Sequence, residues 1–261
     1  MKSESFQFTQ MPSCRVGFIP TIIITQARMM STRLAGKVMK EVLGISLLHY
    51  HIQRLRRVQN ADGVVVATSQ NPQDDVIFDF CKRDGVHSMR GSEEDVLSRY
   101  FAAASAFGAD IVVRVTSDCP LIDPCIIDKA IGCFQHHFGD LDYLSNTIER
   151  TFPRGMCVEV FRFEALKTAF FEAKSAYERE HVTPFILRHK ERFKQANFSQ
   201  NSDDSSLRLT VDTPEDFELI KRILENLYPR NRDYTLQDIM ELLKEHPDWK
   251  QLNAHIIQKT L

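Results

Sequence analysis

The stretch that decides the fold is IPTIIIT at residues 19–25, followed directly by QARMMSTRLAGK at 26–37. The first part is a short, β-branched apolar run between polar neighbours, which predicts a strand buried on both faces of a sheet. The second part places three cations, Arg28, Arg33 and Lys37, within ten positions. A buried strand that ends in a cationic loop suits an α/β protein, because such proteins bind ligands at the carboxyl ends of parallel strands.

The chain continues with the same alternation of strand and helix. Further buried strands are predicted at 64–68 and 111–115, with helices at 45–58, 71–84, 92–107 and 123–138. Because these strands are apolar throughout rather than alternating, we expect an α/β fold with a mostly parallel central sheet and helices on both faces.

Several helix starts can be read from capping residues. Asn71, Asp123 and Thr213 each precede a proline, which predicts an N-cap followed by Pro at the first helical position. Ser92 and Asp95 have the spacing of a capping box, with Asp in place of the usual Glu.

In the second half of the chain, the predicted strands and helices no longer alternate regularly. Strands are predicted at 157–163 and 207–211, and helices at 163–174, 178–189, 213–227 and 234–245. We expect one α/β domain over residues 19–261, with a late insertion or lid around 145–205, after a flexible leader at 1–18.

Composition excludes several classes of function. The chain has 261 residues, and 33 Lys and Arg against 35 Asp and Glu leave a net charge of −2. This balance argues against binding of nucleic acid or an anionic membrane by the whole protein, and no apolar run approaches the roughly 18–20 residues that span a bilayer. The six cysteines include no C-x-x-C pair, which favours reduced, mostly buried thiols and a cytoplasmic location.

Two carboxylates follow predicted strands at the ligand-binding edge. Asp118 comes after the strand at 111–115, Asp212 comes after the strand at 207–211, and neither is needed as a helix cap. Two carboxylates that face a cationic loop fit a Mg²⁺ site for a polyphosphate. The alternative is a solvated basic loop beside two turn residues, since the loop matches neither the P-loop nor the dinucleotide fingerprint.

The motif QARMMSTRLAGKVM (26–39) resembles the first motif of the cytidylyltransferase family that includes CMP-Kdo and CMP-sialic acid synthetases. The similarity is greatest to the spore coat polysaccharide biosynthesis protein F branch. It continues, in order, through VVVATS (64–69), RGSEEDVLSRY (90–100), VVRVTSDCPLIDP (112–124), EREHVTPFI (178–186) and LRLTVDTPEDFELI (207–220).

This resemblance implies a GT-A-like (Rossmann-like) nucleotide-diphospho-sugar transferase fold and Mg²⁺-dependent transfer of CMP from CTP to a sugar acceptor, with release of pyrophosphate. It also implies a role in surface polysaccharide or glycan biosynthesis and a homodimer. By the same resemblance, Lys37, Arg28 and Asp118 are catalytic, and Asp118 and Asp212 hold the metal. The implied nucleotide-binding residues are Gln26, Ala27, Arg28, Ser31, Thr32, Arg33, Lys37, Thr68, Arg90 and Ser92, and the implied acceptor-binding residues are Arg154, Glu159, Arg179, Glu180 and His181.

Four positions depart from the family pattern. Met30 and Ser117 replace glycines, Ala35 replaces a proline, and Cys157 replaces an aspartate. Two other functions therefore stay open. One is nucleotidyl transfer from another nucleoside triphosphate to a sugar 1-phosphate or phosphonate, and the other is a catalytically inactive nucleotide-binding homologue.

Overall fold

The central strand of the sheet is built from the β-branched run identified above. In the computed structural model, which describes residues 19–257, this run forms the strand β1 (Thr21–Gln26). Ile22, Ile23 and Ile24 are all 0% exposed, so the strand is buried on both faces, as predicted. The predicted leader at 1–18 lies outside the described residues.

The remaining strands and helices follow in chain order. The strands are β2 (Glu41–Val42), β3 (Ile45–Ser46), β4 (Gly63–Ser69), β5 (His87–Gly91), β6 (Ile111–Thr116), β7 (Tyr143–Ser145), β8 (Glu159–Arg162) and β9 (Gln195–Asn197). The α-helices are α1 (Leu47–Leu55), α2 (Asp75–Asp84), α3 (Val96–Ala106), α4 (Pro124–His136), α5 (Phe163–Glu172), α6 (Ala176–His181), α7 (Pro184–Arg188), α8 (Pro214–Leu227) and α9 (Leu236–Glu245).

Seven strands form the central sheet, in the order β5-β4-β1-β6-β8-β7-β9. β8 is antiparallel to both of its neighbours, and every other pairing in the sheet is parallel. One face packs through Ile23 and Val113 against α4, α8 and α9. The other face packs through Ile22 and Val112 against α3 and α5. The predicted α/β fold, with a mostly parallel sheet covered on both faces, is confirmed.

The predicted strand at 207–211 is wrong. Within the described residues, Arg208 forms an isolated β-bridge with Arg154, and the rest of the segment lies outside any strand. Its backbone bonds are divided between two neighbours, because Leu209 N donates to Arg154 O at 2.7 Å and Val211 N donates to Asp118 O at 2.8 Å. Leu209 and Val211 are both 0% exposed. The apolar pattern therefore reports burial rather than membership of the sheet.

Two predicted helices begin or run differently from expectation. The predicted helix at 178–189 is divided into α6 and α7 at Val182, whose φ of 73° is not helical, and Pro184 opens the second helix. At α3, the predicted capping box is wrong because Asp95 is itself the N-cap and accepts from Ser98 N at 2.9 Å. By contrast, the N-caps Asn71, Asp123 and Thr213 are confirmed, although Asn71 opens a 3₁₀ turn that precedes α2.

The cysteines and the helix lengths bear on two further predictions. All five cysteines among residues 19–257 are free thiols. Only Cys81 and Cys119 are buried, so the prediction of mostly buried thiols is wrong, because Cys125 is exposed and Cys133 and Cys157 are partly exposed. Within the same residues, no helix has the length and hydropathy needed to cross a bilayer.

Gly155 allows two distant chain segments to touch. A Cβ at this position would lie 2.5 Å from Leu209 O and 2.6 Å from Leu209 C, and the φ of Gly155 is 101°. Both the contact and the backbone conformation require glycine. This close approach brings the segment that contains Arg154 against the segment that leads to Asp212.

We expect Gly155→Ala to lower the free energy of unfolding by about 3 kcal/mol, because the added methyl group collides with rigid backbone. The matched control is Gly139→Ala, since Gly139 has a φ of 103° but, among the described residues, no atom within 4 Å of the new methyl group. The control should lose only about 1 kcal/mol. Urea denaturation measures both losses, and equal values would contradict the steric explanation.

Candidate active site

The candidate site lies at the edge of the sheet where the parallel strands end. β1, β4 and β6 run in the same direction, so the residues that follow Gln26, Ser69 and Thr116 emerge at this edge. β8 runs in the opposite direction and therefore begins there, at Glu159. The cationic loop after β1 and Asp118 after β6 consequently share one edge, which is the usual ligand-binding edge of an open α/β sheet.

Lys37 lies between the two carboxylates that were predicted as metal ligands. Its Nζ donates to Asp118 Oδ2 at 2.8 Å and to Asp212 Oδ1 at 2.7 Å. These partners are 81 and 175 residues away along the chain, so the two ion pairs join three separate segments. The Lys37 side chain is only 12% exposed, and water therefore screens these charges weakly.

The pKa values of Lys37 and Asp118 are shifted in opposite directions. Burial alone would lower the pKa of Lys37, but the charges of Asp118 and Asp212 and their hydrogen bonds outweigh burial and raise it. Burial alone would likewise raise the pKa of Asp118, but the Lys37 charge and its hydrogen bond lower it well below the usual range. Both groups are therefore charged at neutral pH.

The second oxygen of Asp212 contacts two arginines. Arg33 Nη2 lies 3.0 Å from Asp212 Oδ2, and Arg208 Nη2 lies 2.6 Å from the same oxygen. Arg208 also pairs with Asp216, at 2.8 Å between Nε and Oδ1. Arg208 was not among the site residues predicted from the sequence. Its spacing could have identified it, because Arg208 lies four residues before Asp212 and eight residues before Asp216 in LRLTVDTPED.

Among residues 19–257, the charges that pair in this region balance within one cluster, which we call the Lys37 cluster. Three cations face three carboxylates, and its members are Arg33, Lys37, Arg208, Asp118, Asp212 and Asp216. An unpaired charge at this depth would carry a large desolvation penalty. The balance therefore explains how a fully buried carboxylate, Asp216 at 0% exposure, is accommodated.

The loop between β1 and Lys37 is held by neighbouring segments. Gln26 O accepts from Ser117 Oγ at 2.7 Å, and Met29 N donates to Asp74 Oδ1 at 2.6 Å. The Gln26 side chain also accepts from the hydroxyl of Tyr100. Met30 is 50% exposed, so its side chain is not packed inside the loop. Of the other predicted loop residues, Ala27 is buried, Ser31 is partly buried and Thr32 is exposed.

Arg28 lies apart from the ion pairs of Lys37. Its guanidinium contacts Glu93 at 3.9 Å and Glu180 at 3.7 Å, and its side chain is 42% exposed. Within the described residues, no ion pair joins Arg28 to Asp118 or Asp212. The structure thus brings Arg33 and Lys37 together at the two aspartates and leaves Arg28 on the side of the loop that faces α6.

Three more of the predicted nucleotide-binding residues lie at or just after the carboxyl ends of β4 and β5. Thr68 is 0% exposed, and its Oγ1 has no hydrogen-bond partner among residues 19–257. Arg90 is tied to the start of α2, because its Nε donates to Ser69 O at 2.9 Å and its Nη2 lies 2.7 Å from Asp75 Oδ1. Ser92 Oγ accepts from the backbone N–H that precedes α3.

Glu159, predicted to contact the acceptor, is the centre of a buried polar network. It is 7% exposed and accepts hydrogen bonds from Tyr143 at 2.7 Å and from Thr183 at 2.6 Å. It also forms an ion pair with Arg114, a residue on β6 that the sequence analysis did not include. The carboxylate of Glu159 is therefore fixed by three donors from three different elements.

Three of the other residues predicted to bind the acceptor lie on α6, and each has different neighbours. Arg179 is anchored to the start of α3, because its Nε donates to Asp95 Oδ1 at 3.0 Å. Glu180 is half exposed and pairs with Arg28. Burial lowers the pKa of His181, against the opposing charge of Glu180, so the imidazole is neutral at neutral pH.

Arg154 lies among other cations at the edge of the sheet. Its pKa is lowered first by burial and then by the charges of Arg150 and Arg208. Beside it, Arg150 Nη1 donates to Cys157 Sγ at 3.0 Å. A thiol therefore occupies the position at which the family pattern has an aspartate, and an arginine contacts it.

The two predicted metal ligands are arranged so that one cation can contact both. Asp118 and Asp212 each bring one oxygen within 2.8 Å of a single point, which the ammonium of Lys37 occupies. Mg²⁺ commonly uses one or two protein carboxylates and takes its other ligands from phosphate and water. Within the described residues, no group of three His, Cys, Asp or Glu side chains could hold a metal by itself. The two aspartates thus fit Mg²⁺ that arrives with a phosphate ligand.

We expect Lys37→Met to lower the free energy of unfolding by about 2 kcal/mol at pH 7, because Asp118 and Asp212 lose their shared cation. The pKa of Asp118 is lowered in the folded protein, so its stabilising effect is present above its unfolded pKa and is lost as the pH falls. The deficit of the variant should therefore be full at pH 7 and smaller at about pH 3, below the unfolded pKa of an aspartate.

The matched control for this substitution is Lys40→Met. Lys40 lies three positions further along the chain and contacts the ring of Phe217. Its ammonium forms no ion pair within residues 19–257, so its loss should be nearly independent of pH. Urea denaturation at both pH values measures the difference, and a deficit of Lys37→Met that stayed constant would contradict the electrostatic origin.

Comparisons with known proteins agree with this arrangement of strands and loops. The family model described as cytidylyltransferase matches residues 22–260. The spore coat polysaccharide biosynthesis protein SpsF of Bacillus subtilis strain 168 is 31% identical over 243 residues, covering 87% of this chain and 95% of the relative. A cytidylyltransferase structure from Leptospira borgpetersenii serovar Hardjo-bovis has a TM-score of 0.86 and 35% identity, covering 92% of this chain and 100% of that one.

A more distant structure shares the fold alone. It is the CMP:2-keto-3-deoxy-manno-octonic acid synthetase complexed with CTP, with a TM-score of 0.61 and 17% identity, covering 79% of this chain and 98% of that one. The Rossmann-like nucleotidyltransferase fold is therefore established by the sheet and by its structural neighbours. With the family model matched over nearly the whole chain, the protein is a nucleotidyltransferase that belongs to the cytidylyltransferase family.

Proposed function

We propose that the enzyme transfers a cytidylyl group from CTP to a sugar acceptor, with Mg²⁺, and releases pyrophosphate. The single observation that supports this most strongly is the convergence of Lys37 and Arg33 on Asp118 and Asp212 at the ligand-binding edge. The names of the relatives add the substrate classes, because one acts in spore coat polysaccharide biosynthesis and a structural neighbour binds CTP. A homodimer and a cytoplasmic location stay predictions.

In this proposal, the cations of the loop after β1 bind the triphosphate. Lys37 and Arg33 already lie at the edge of the sheet, held by carboxylates. Arg28 is 42% exposed and has only long ion-pair contacts, so it can turn to a phosphate at little cost. Cations placed in this way stabilise the charge that develops on the leaving pyrophosphate.

Asp118 and Asp212 would hold the magnesium ion, and the ion when bound would neutralise charge on the phosphate oxygens. Since the ammonium of Lys37 lies between the two carboxylates, the triphosphate would draw this ammonium toward itself. The exchange replaces the single positive charge of the ammonium beside the aspartates with the two positive charges of Mg²⁺. An oxygen of the acceptor then attacks the α-phosphorus in line with the departing pyrophosphate, which requires positioning rather than a covalent intermediate.

The acceptor would bind on the side of the edge formed by the residues before β8 and by α6. Arg154 lies there between other cations, and His181 has a lowered pKa that suits it to accept a proton. Glu159 has three donors of its own, so in this proposal its part is to hold Tyr143, Thr183 and Arg114 in place.

Calorimetric titration of CTP, UTP, dTTP and ATP, each with and without Mg²⁺, tests the nucleotide. Micromolar, Mg²⁺-dependent binding with a preference for CTP is the expected result. Preference for another nucleotide would favour transfer to a sugar 1-phosphate or phosphonate from that donor. Binding without release of pyrophosphate would favour a catalytically inactive nucleotide-binding homologue, and binding of none of the four would favour a scaffold protein. A panel of acceptors, scored by release of pyrophosphate, then identifies the sugar.

We expect Asp118→Asn and Asp212→Asn each to lower Mg²⁺-dependent release of pyrophosphate by about 100-fold or more, because each loses one charged metal ligand. The control is Asp140→Asn, which changes an exposed acid in the turn after α4 and should leave the rate unchanged. Rates equal to wild type in both variants would contradict the assignment of the metal ligands.

A further inference from the structure

We propose that Arg208 is a positioning residue that orients the carboxylate of Asp212 toward the cation site. This inference rests on the proposed function, since it takes Asp212 as a ligand of the cation that accompanies the nucleotide. The Arg208 side chain is 5% exposed, and it would act through the aspartate without touching the substrate.

The two carboxylate oxygens of Asp212 contact different groups. Oδ1 faces Lys37 at 2.7 Å and is the oxygen directed at the cation site. Oδ2 accepts from Arg208 Nη2 at 2.6 Å. Arg33 reaches the same oxygen at 3.0 Å, but its side chain is 29% exposed and belongs to the loop proposed to bind phosphate. Arg208 is therefore the buried contact that fixes the rotation of the carboxylate.

Arg208 is held in turn by a carboxylate that cannot move freely. Asp216 is 0% exposed and pairs with Arg208 through two bonds, at 2.8 Å from Nε to Oδ1 and at 3.1 Å from Nη2 to Oδ2. It lies at the start of α8 and closes the capping box with Thr213. A planar guanidinium that spans two carboxylates sets both position and angle, which a point charge such as ammonium does not.

Asn253 completes the support from the end of the described chain. Its Nδ2 donates to Asp216 Oδ1 at 2.8 Å and to Arg208 O at 3.0 Å. It is 2% exposed and carries no charge. Arg208, Asp212 and Asp216 together have a net charge of −1, so Asp212 still presents one negative charge to a cation. The arrangement thus fixes the direction of the ligand oxygen without cancelling its charge.

Arg208→Lys tests the inference, because it keeps the charge and removes the planar two-sided contact. Binding of Mn²⁺ in the presence of CTP, followed by electron paramagnetic resonance, should weaken about tenfold, the effect typical of losing an outer contact to a metal ligand. The dissociation constant for CTP without metal should change less than about threefold, and higher Mg²⁺ should partly restore the rate of pyrophosphate release.

A merely structural role for Arg208 predicts a different pattern. The thermal midpoint would fall, but the Mn²⁺ dissociation constant of the folded protein would equal that of wild type, and this result would overturn the inference. The matched control is Arg222→Lys on α8, where the arginine pairs with Glu218 at the surface, and neither constant should change. If Arg208→Lys does not fold, Asn253→Ala removes one support without altering charge and should weaken Mn²⁺ binding in the same direction.

The metal measurement is separate from the test of the proposed function. No release of pyrophosphate by wild type with any nucleotide and acceptor would overturn the proposed function, while the comparison of Mn²⁺ constants would still decide the role of Arg208. No binding of Mn²⁺ by wild type in the presence of CTP would overturn the inference itself.

Discussion

The constraint on which the site depends is the burial of β1 between two parallel neighbours. Its isoleucines are covered on both faces, and it pairs with β4 on one side and β6 on the other in the same direction. Three connecting loops must therefore emerge at one edge of the sheet. The reversed strand β8 adds its own beginning to that edge, where Glu159 accepts from three donors. Residues far apart in sequence meet there because the order and direction of the strands place their ends at the same edge.

Charge balance then determines what this edge can bind. Lys37 stands between two carboxylates that would otherwise repel one another in a poorly screened environment. A ligand that attracts Lys37 must bring a positive charge to replace it. A nucleoside triphosphate with a divalent cation meets both conditions, since its phosphates attract ammonium and its metal can stand beside the carboxylates. A free anion meets only the first.

The features that were predictable from sequence are those with a local cause. The apolar runs of β1, β4 and β6 and the proline-capped starts of α4 and α8 follow from neighbouring residues alone. The segment 207–211 has the same apolar pattern as a strand, yet its backbone bonds go to two different partners. Arg208 and Arg114 were missed because their importance comes from carboxylates placed by tertiary contacts. Such partners leave no periodic signal along the chain.

Because Gly155 has no side chain, the backbone beside Arg154 is linked closely to the segments that carry the two aspartates. Arg154 N donates to Leu207 O at 2.9 Å, and Leu209 N donates to Arg154 O. The backbones of Gly155 and Leu209 are in close contact between these bonds. Two residues further on, Val211 N donates to the carbonyl of Asp118. These short, directional bonds connect residues 154–155, residues 207–211 and Asp118 directly. A change in backbone position where a bulky molecule contacts Arg154 would therefore be passed on to the segments that carry the two aspartates.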